Sequence, residues 1–276
     1  MSRLLDRWNI HWIRPVLGQS FRNALTYRFE FWFRFLGFIL VDILIAYFLW
    51  KSIYGDSPAR LIGGYDFKAM MFYSVVGPFL YNIVAQISMG LVAWDIYDGS
   101  LSRYLVYPMP YVPYKLLTNV PNLIIAAVQA LIAVGLVAWI WGMPQGMEFS
   151  WLRLLAALSL SILGAACYAS IILNLELVAF WADGVWSLAT LVNISARLLG
   201  GITLPLTLFP DGARLILEKL PFASFGALPI RVFLGQATAQ EYMSGLFILF
   251  GYTAVLFSTA RFTYVIGLKK HTGVAM

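Results

Sequence analysis

The sequence predicts an all-α integral membrane protein of six transmembrane helices, with an interfacial N-terminal helix and short broken helices between spans five and six. Three observations carry this. Of the 276 residues, 61% are hydrophobic and only 12% charged, about half the charged fraction of a soluble domain. The apolar residues gather into runs near the roughly 20 residues that cross a bilayer. The basic residues are unevenly spread: with the N-terminus inside, eleven of the 19 Lys and Arg fall on the cytoplasmic side, seven outside, and Arg197 within a span. That bias fits a multi-pass protein of a bacterial plasma (inner) membrane with both termini cytoplasmic.

Residues 1–30 read as an amphipathic helix. Leu5, Trp8 and Trp12 make one stripe and Arg3, Arg7 and Arg14 point the other way. Such a helix lies in the interface beside anionic lipid or is a structured soluble helix; Pro15 breaks or restarts it. The spans are expected over residues 32–50, 67–94, 116–141, 151–180, 185–204 and 243–266. Trp32 and Trp50 suit the two interfaces of the first span, and Gly77-Pro78 predicts a kink in the second. Residues 205–241 contain Pro205, Pro210, Pro221 and Pro229, too many for one continuous span. They read as a broken segment, outside in this topology, with a short helix capped by Asp211. The whole chain, 1–276, is one transmembrane domain.

Between spans two and three, residues 95–113 are too few for a domain. Asp98-Gly99-Ser100 can turn the chain and cap a helix. Leu101, Tyr104 and Leu105 then fall at i, i+3 and i+4 on one face, and Pro108 ends the helix at or before Tyr107. The residues alone leave two readings, an ordinary interfacial loop or a docking helix. The pattern Gly99-Ser100-Leu101, Tyr104-Leu105, Pro108 after an apolar segment resembles the first cytoplasmic loop of type-2 ATP-binding-cassette (ABC) permeases. The likeness extends to the interfacial helix, the six spans and the Pro- and Phe-rich motifs Leu204-Pro205-Leu206, Phe209-Pro210 and Leu220-Pro221-Phe222, and it implies that residues 205–241 form an outer, re-entrant segment.

The resemblance implies a permease subunit of an exporter in a family whose substrates are lipids, glycans, drugs and peptides; the aromatic and apolar character of the chain favours an amphipathic or lipid-like substrate. The resemblance also implies two ABC ATPase subunits, which would hold ATP and magnesium, and a second permease, identical or related, beside this one. The coupling helix over 95–107 would contact the ATPase through Asp95, Asp98, Gly99, Leu101, Arg103, Tyr104 and Leu105, with Leu101, Tyr104 and Leu105 as its apolar face. The chain itself has no G-x-x-x-x-G-K-[ST] motif, no nucleophile–base pair and no His/Cys cluster, with Cys167 its sole cysteine. We therefore expect no enzyme and no cofactor in this chain, and a net charge of +6 does not suggest a nucleic-acid partner. The competing class is a secondary transporter or channel without an ATPase, which would be expected to show an internal repeat or midplane ionisable residues.

Three charges lie inside expected spans, where charge is costly. Glu176 is near enough to the end of span four to reach the interface. Thr190, Asn193, Arg197 and Gly200 share one face of span five, which either packs on another helix or lines a pathway. Asp42 in span one and Arg197 are at similar depth, so they are expected to compensate each other within one subunit or across two; the alternative is that Arg197 snorkels outward to a lipid or substrate phosphate and leaves Asp42 protonated.

Overall fold

The computed structural model describes residues 10–26, 28–86, 90–144 and 147–270. Leu5 and Trp8 of the expected N-terminal stripe therefore lie outside the described residues. After a 3-10 turn at Ile10–Trp12, helix α1 (Ile13–Thr26) carries Pro15 in its first turn. There a missing N–H costs nothing, so this proline starts the helix rather than breaking it. None of the α1 residues is buried.

Helix α2 (Arg28–Tyr54) exceeds the expected span at both ends; its 27 residues measure about 40 Å. Phe35, Ile39, Ala46 and Trp50 form its buried stripe, while Phe33, Leu40, Leu44 and Phe48 are exposed. Trp50 is not an interface residue: it is 3% exposed, and its indole N–H donates to the Ser74 hydroxyl at 2.7 Å.

Helix α3 (Phe67–Val84) starts at the Asp66 cap, whose carboxylate accepts the Ala69 N–H at 2.9 Å, and it runs through Pro78 without ending. The expected second span to residue 94 is thus divided. α3 ends at Val84, and a separate short helix, α4 (Ala93–Tyr97), follows. The loop continues as α5 (Leu101–Val106) and α6 (Tyr111–Leu117). Helix α7 (Val120–Trp141) then crosses beside α3, and α8 (Trp151–Leu177) follows a connection.

Helix α9 (Trp186–Leu199) is shorter than the expected fifth span of 185–204. It stops at Gly200-Gly201, where Gly201 has φ +72°. The proline-rich stretch beyond folds into α10 (Asp211–Leu217), α11 (Pro221–Phe225) and α12 (Ala227–Phe233). Pro210 takes the cap position of α10. Asp211 is instead its first residue, where its charge meets the positive helix end. Finally α13 (Ala239–Lys270) runs 32 residues.

Helices α2, α3 and α13, the stretch Tyr111–Trp141 and the stretch Trp151–Phe180 are long and apolar enough to cross a membrane, five candidates in all among the described residues. α3 is the buried one; it packs on α2, α7, α8 and α12. Helices α8 and α13 run parallel: Ser159 meets Tyr242 at 3.0 Å, the Asn174 amide donates to the Leu256 carbonyl at 2.7 Å, and Phe180 lies against Tyr264. Two parallel neighbours require the chain between them to return to the end from which α8 began. α9 makes most of that return. Gly200 and Gly226 let its end approach α11 and α12 backbone to backbone, with the Ala227 N–H donating to the Gly200 carbonyl at 2.7 Å.

Candidate functional site

The α4–α6 loop is built onto the ends of α8 and α13. Its anchor is Glu176, one residue before the end of α8. This side chain does not reach outward: Glu176 is 2% exposed. Its Oε1 accepts the N–H groups of Gly90 at 2.5 Å and Leu91 at 3.1 Å, and its Oε2 accepts that of Val92 at 2.7 Å. These are the N–H groups of the turn that leads into α4, with Val92 at the cap position of that helix. A carboxylate near the negative end of α8 is unfavourable by itself; three N–H donors beside the positive end of α4 offset that. Gly90 has φ +89°, and a Cβ there would strike the Trp94 ring, so the approach needs glycine.

A second clasp closes the loop on itself. Asp95 is buried, and its Oδ2 accepts the Tyr111 hydroxyl at 2.5 Å and pairs with Lys115 at 2.6 Å, while Oδ1 accepts the Ser100 hydroxyl at 3.1 Å. The Lys115 ammonium also stands over the Tyr104 ring, 4.6 Å from its centre, and 5.7 Å from that of Tyr111. Tyr111 stacks on Tyr264 of α13 at 6.1 Å and 15°. Gly99 turns the chain with φ +74°. The Asp98 carboxylate accepts the Ser100 N–H at 2.8 Å, and this bond holds the Asp98 carboxyl below the ordinary range. The Tyr97 hydroxyl donates to the Ala182 carbonyl at 3.0 Å, tying α4 to the α8–α9 turn.

The apolar face of α5 is not the one expected from spacing. Leu101 is fully buried in a cluster with Ile96, Leu177, Phe180 and Val185, and Tyr104 packs against that cluster. Leu101 therefore holds the loop to its own subunit and is unavailable to a partner. The apolar side chains left exposed are Leu105 at 39%, Val106 at 83% and Tyr107 at 45%. Arg103 is exposed beside the Tyr104 ring.

The polar face expected on α9 divides. Asn193 donates to the Tyr168 hydroxyl at 3.0 Å, Gly200 packs on α11, and the Thr190 hydroxyl bonds back to the Trp186 carbonyl. Arg197 is exposed and makes no ion pair or side-chain hydrogen bond among the described residues. Asp42, on α2, is half-buried. Asp42 and Arg197 are farther apart than the 4.0 Å of an ion pair, so the direct pair expected within one subunit is not formed.

Sequence reasoning missed Glu176 as an anchor, and missed Lys115 and Tyr111 as partners of Asp95. A carboxylate inside an apolar run was the available signal, because such a group must find donors.

A family model described as ABC-2 family transporter protein matches residues 40–275. The chain belongs to that family. The match takes in the α4–α6 loop, α9, the proline-rich segment and α13, so the ABC-2 membrane protein is a multi-pass transporter component. No curated protein and no solved structure matches it.

Proposed function

We propose that this ABC-2 protein is the permease subunit of an exporter for an amphipathic or lipid-like molecule, driven by a separate ATPase seated on the α4–α6 loop. The observation that carries the reading is the double clasp, Glu176 on residues 90–92 and Asp95 on Lys115 and Tyr111. A loop merely joining two spans has no need of one buried carboxylate tying it to α8 and a second tying its first helix to its last. A loop that receives force from a partner must move as one body with the helices it drives. The ATPase would meet the edge made by Leu105, Val106 and Tyr107, with Asp98 and Arg103 as polar contacts.

In this reading α9 and the start of the proline-rich segment form the fifth of six crossings, both termini lie with the loop in the cytoplasm, and residues 205–241 face outward. The partners are two ATPase subunits carrying ATP and magnesium, and a second permease. The exposed apolar faces of α2 and α9 support permease pairing there, where Arg197 of one copy would meet Asp42 of the other. Two tests apply. The ATPase should copurify with the wild-type chain and drive its transport; transport by the purified chain without any ATPase would establish the channel or secondary-transporter reading instead. With Cys167 replaced, cysteines at Asp211 and Gln236 should react with an impermeant thiol reagent in intact cells, and labelling only after lysis reverses the topology.

A further inference from the structure

The end of the bundle opposite the α4–α6 loop holds a cavity of about 270 Å³ between α10, α11, α12 and the first turns of α13. Its polar wall is made by Glu218, Lys219, Ser224, Arg231, Glu241 and Ser244, the last with its hydroxyl spent on the Glu241 carbonyl. Both carboxylates are already matched: Glu218 pairs with Arg214 at 2.7 Å and Glu241 with Arg231 at 2.5 Å. Lys219 is left over, exposed, with no ion pair or hydrogen bond among the described residues. Arg231 spends one terminal nitrogen on Glu241 and on the Gln236 carbonyl, so its other donors are unspent. Ser224 is 3% exposed, lines the cavity, and its hydroxyl has no partner among the described residues. Its oxygen is not among the buried atoms left without a partner, so it opens into the cavity, where it is free to bond whatever the cavity takes in. The unspent groups are thus an ammonium, part of a guanidinium and a hydroxyl, a donor set suited to the oxygens of a phosphate.

The rest of the wall is apolar. Leu206, Leu228 and Ile248 floor the cavity. Beyond Ile248 the same face of α13 continues at Tyr252 and Val255, four and seven residues on, which are 40% and 63% exposed. An apolar strip therefore leads from the charged cavity toward the middle of the bundle. We propose that this cavity binds the phosphate head group of an amphiphile whose chain lies along Ile248, Tyr252 and Val255. Naming it the exit end of the export route rests on the function proposed above; the binding does not.

The test uses the full-length chain in neutral detergent, titrated by calorimetry with dihexanoylphosphatidic acid and, separately, with inorganic phosphate. The short-chain lipid should bind. Lys219→Gln should weaken it about tenfold, the size of one charge-assisted contact, and Ser224→Ala about threefold. Inorganic phosphate should bind at least tenfold more weakly than the lipid, because it lacks the chain. No binding by the wild type overturns the proposal, as does equal binding by wild type and both variants. Phosphate binding as tightly as the lipid overturns the amphiphile and leaves a plain anion site. If Ser224→Ala does not fold, Lys219→Gln decides the matter alone, since an exposed lysine supports no core. Lost lipid binding with ATPase association intact would leave the export reading standing, and intact binding without any ATPase would do the reverse.

Discussion

Glu176→Ala removes the acceptor from three backbone N–H groups at once. The Val92 N–H is the costly one, because Val92 is 1% exposed and water does not reach it. A stranded buried donor costs about 1–3 kcal/mol. Gly90 and Leu91 are half-exposed, so water would partly replace the carboxylate there, at roughly 0.5–1 kcal/mol each. Freedom from burying a carboxylate returns part of this. The net expectation is a loss of about 2–4 kcal/mol, centred on the loop. At about 2–4 °C per kcal/mol for a chain of this size, the melting temperature of the purified protein should fall by roughly 4–16 °C. Glu176→Gln keeps one acceptor oxygen and should fall by about a third as much. The discriminating measurement is amide hydrogen exchange. The protons of Gly90, Leu91 and Val92 should exchange faster in Glu176→Ala, while the α3 core stays protected. In the assembled transporter, ATP hydrolysis should continue with less transport per ATP. Unchanged exchange at residues 90–92 would refute the anchoring role, whatever happens to the melting temperature.

The two apolar positions of α5 should separate cleanly. Val106→Asp should fold normally and lose the ATPase in copurification, whereas Leu101→Asp, placing a charge in the loop core, should cost at least about 3 kcal/mol and lower yield; a folded Leu101→Asp protein that lacks only the ATPase reverses the assignment. For Asp42→Asn and Arg197→Gln, a double-mutant cycle on the assembled permease pair should give a coupling of about 0.5–3 kcal/mol, and zero coupling ends the cross-subunit pairing. Asp98 is held below its usual pKa by the Ser100 N–H. A depressed folded pKa stabilises above the unfolded value, near 3.9, and that stability is lost as pH falls through the folded value. Loop exchange rates, corrected for intrinsic chemistry, should therefore stay level from pH 8 to 5, and Asp98→Asn should remove the acid-side change without creating one near neutrality.

The sequence by itself determined the membrane class, five stretches long and apolar enough to cross, and the loop that carries the family resemblance. Composition, run length and proline placement are local quantities, and they set whether a segment can be a span whatever it packs against. The division of residues 205–241 into short helices follows from its prolines in the same way. Only the tertiary structure decided which side of each element faces inward. Leu101, Tyr104 and Leu105 share a helical face by spacing, but spacing gives no absolute direction. The ends of α8 and α13 claim Leu101 and leave Val106 outside. Trp50 is a plausible interface residue until Ser74 of α3 is beside it. Glu176 and residues 90–92 are more than 80 positions apart; no local pattern joins them, because a buried carboxylate is satisfied by whichever donors the fold brings within reach. The length of α9 is decided the same way: its sequence stays apolar past Leu199, and the backbone approach of Gly200 to Gly226 turns the chain back.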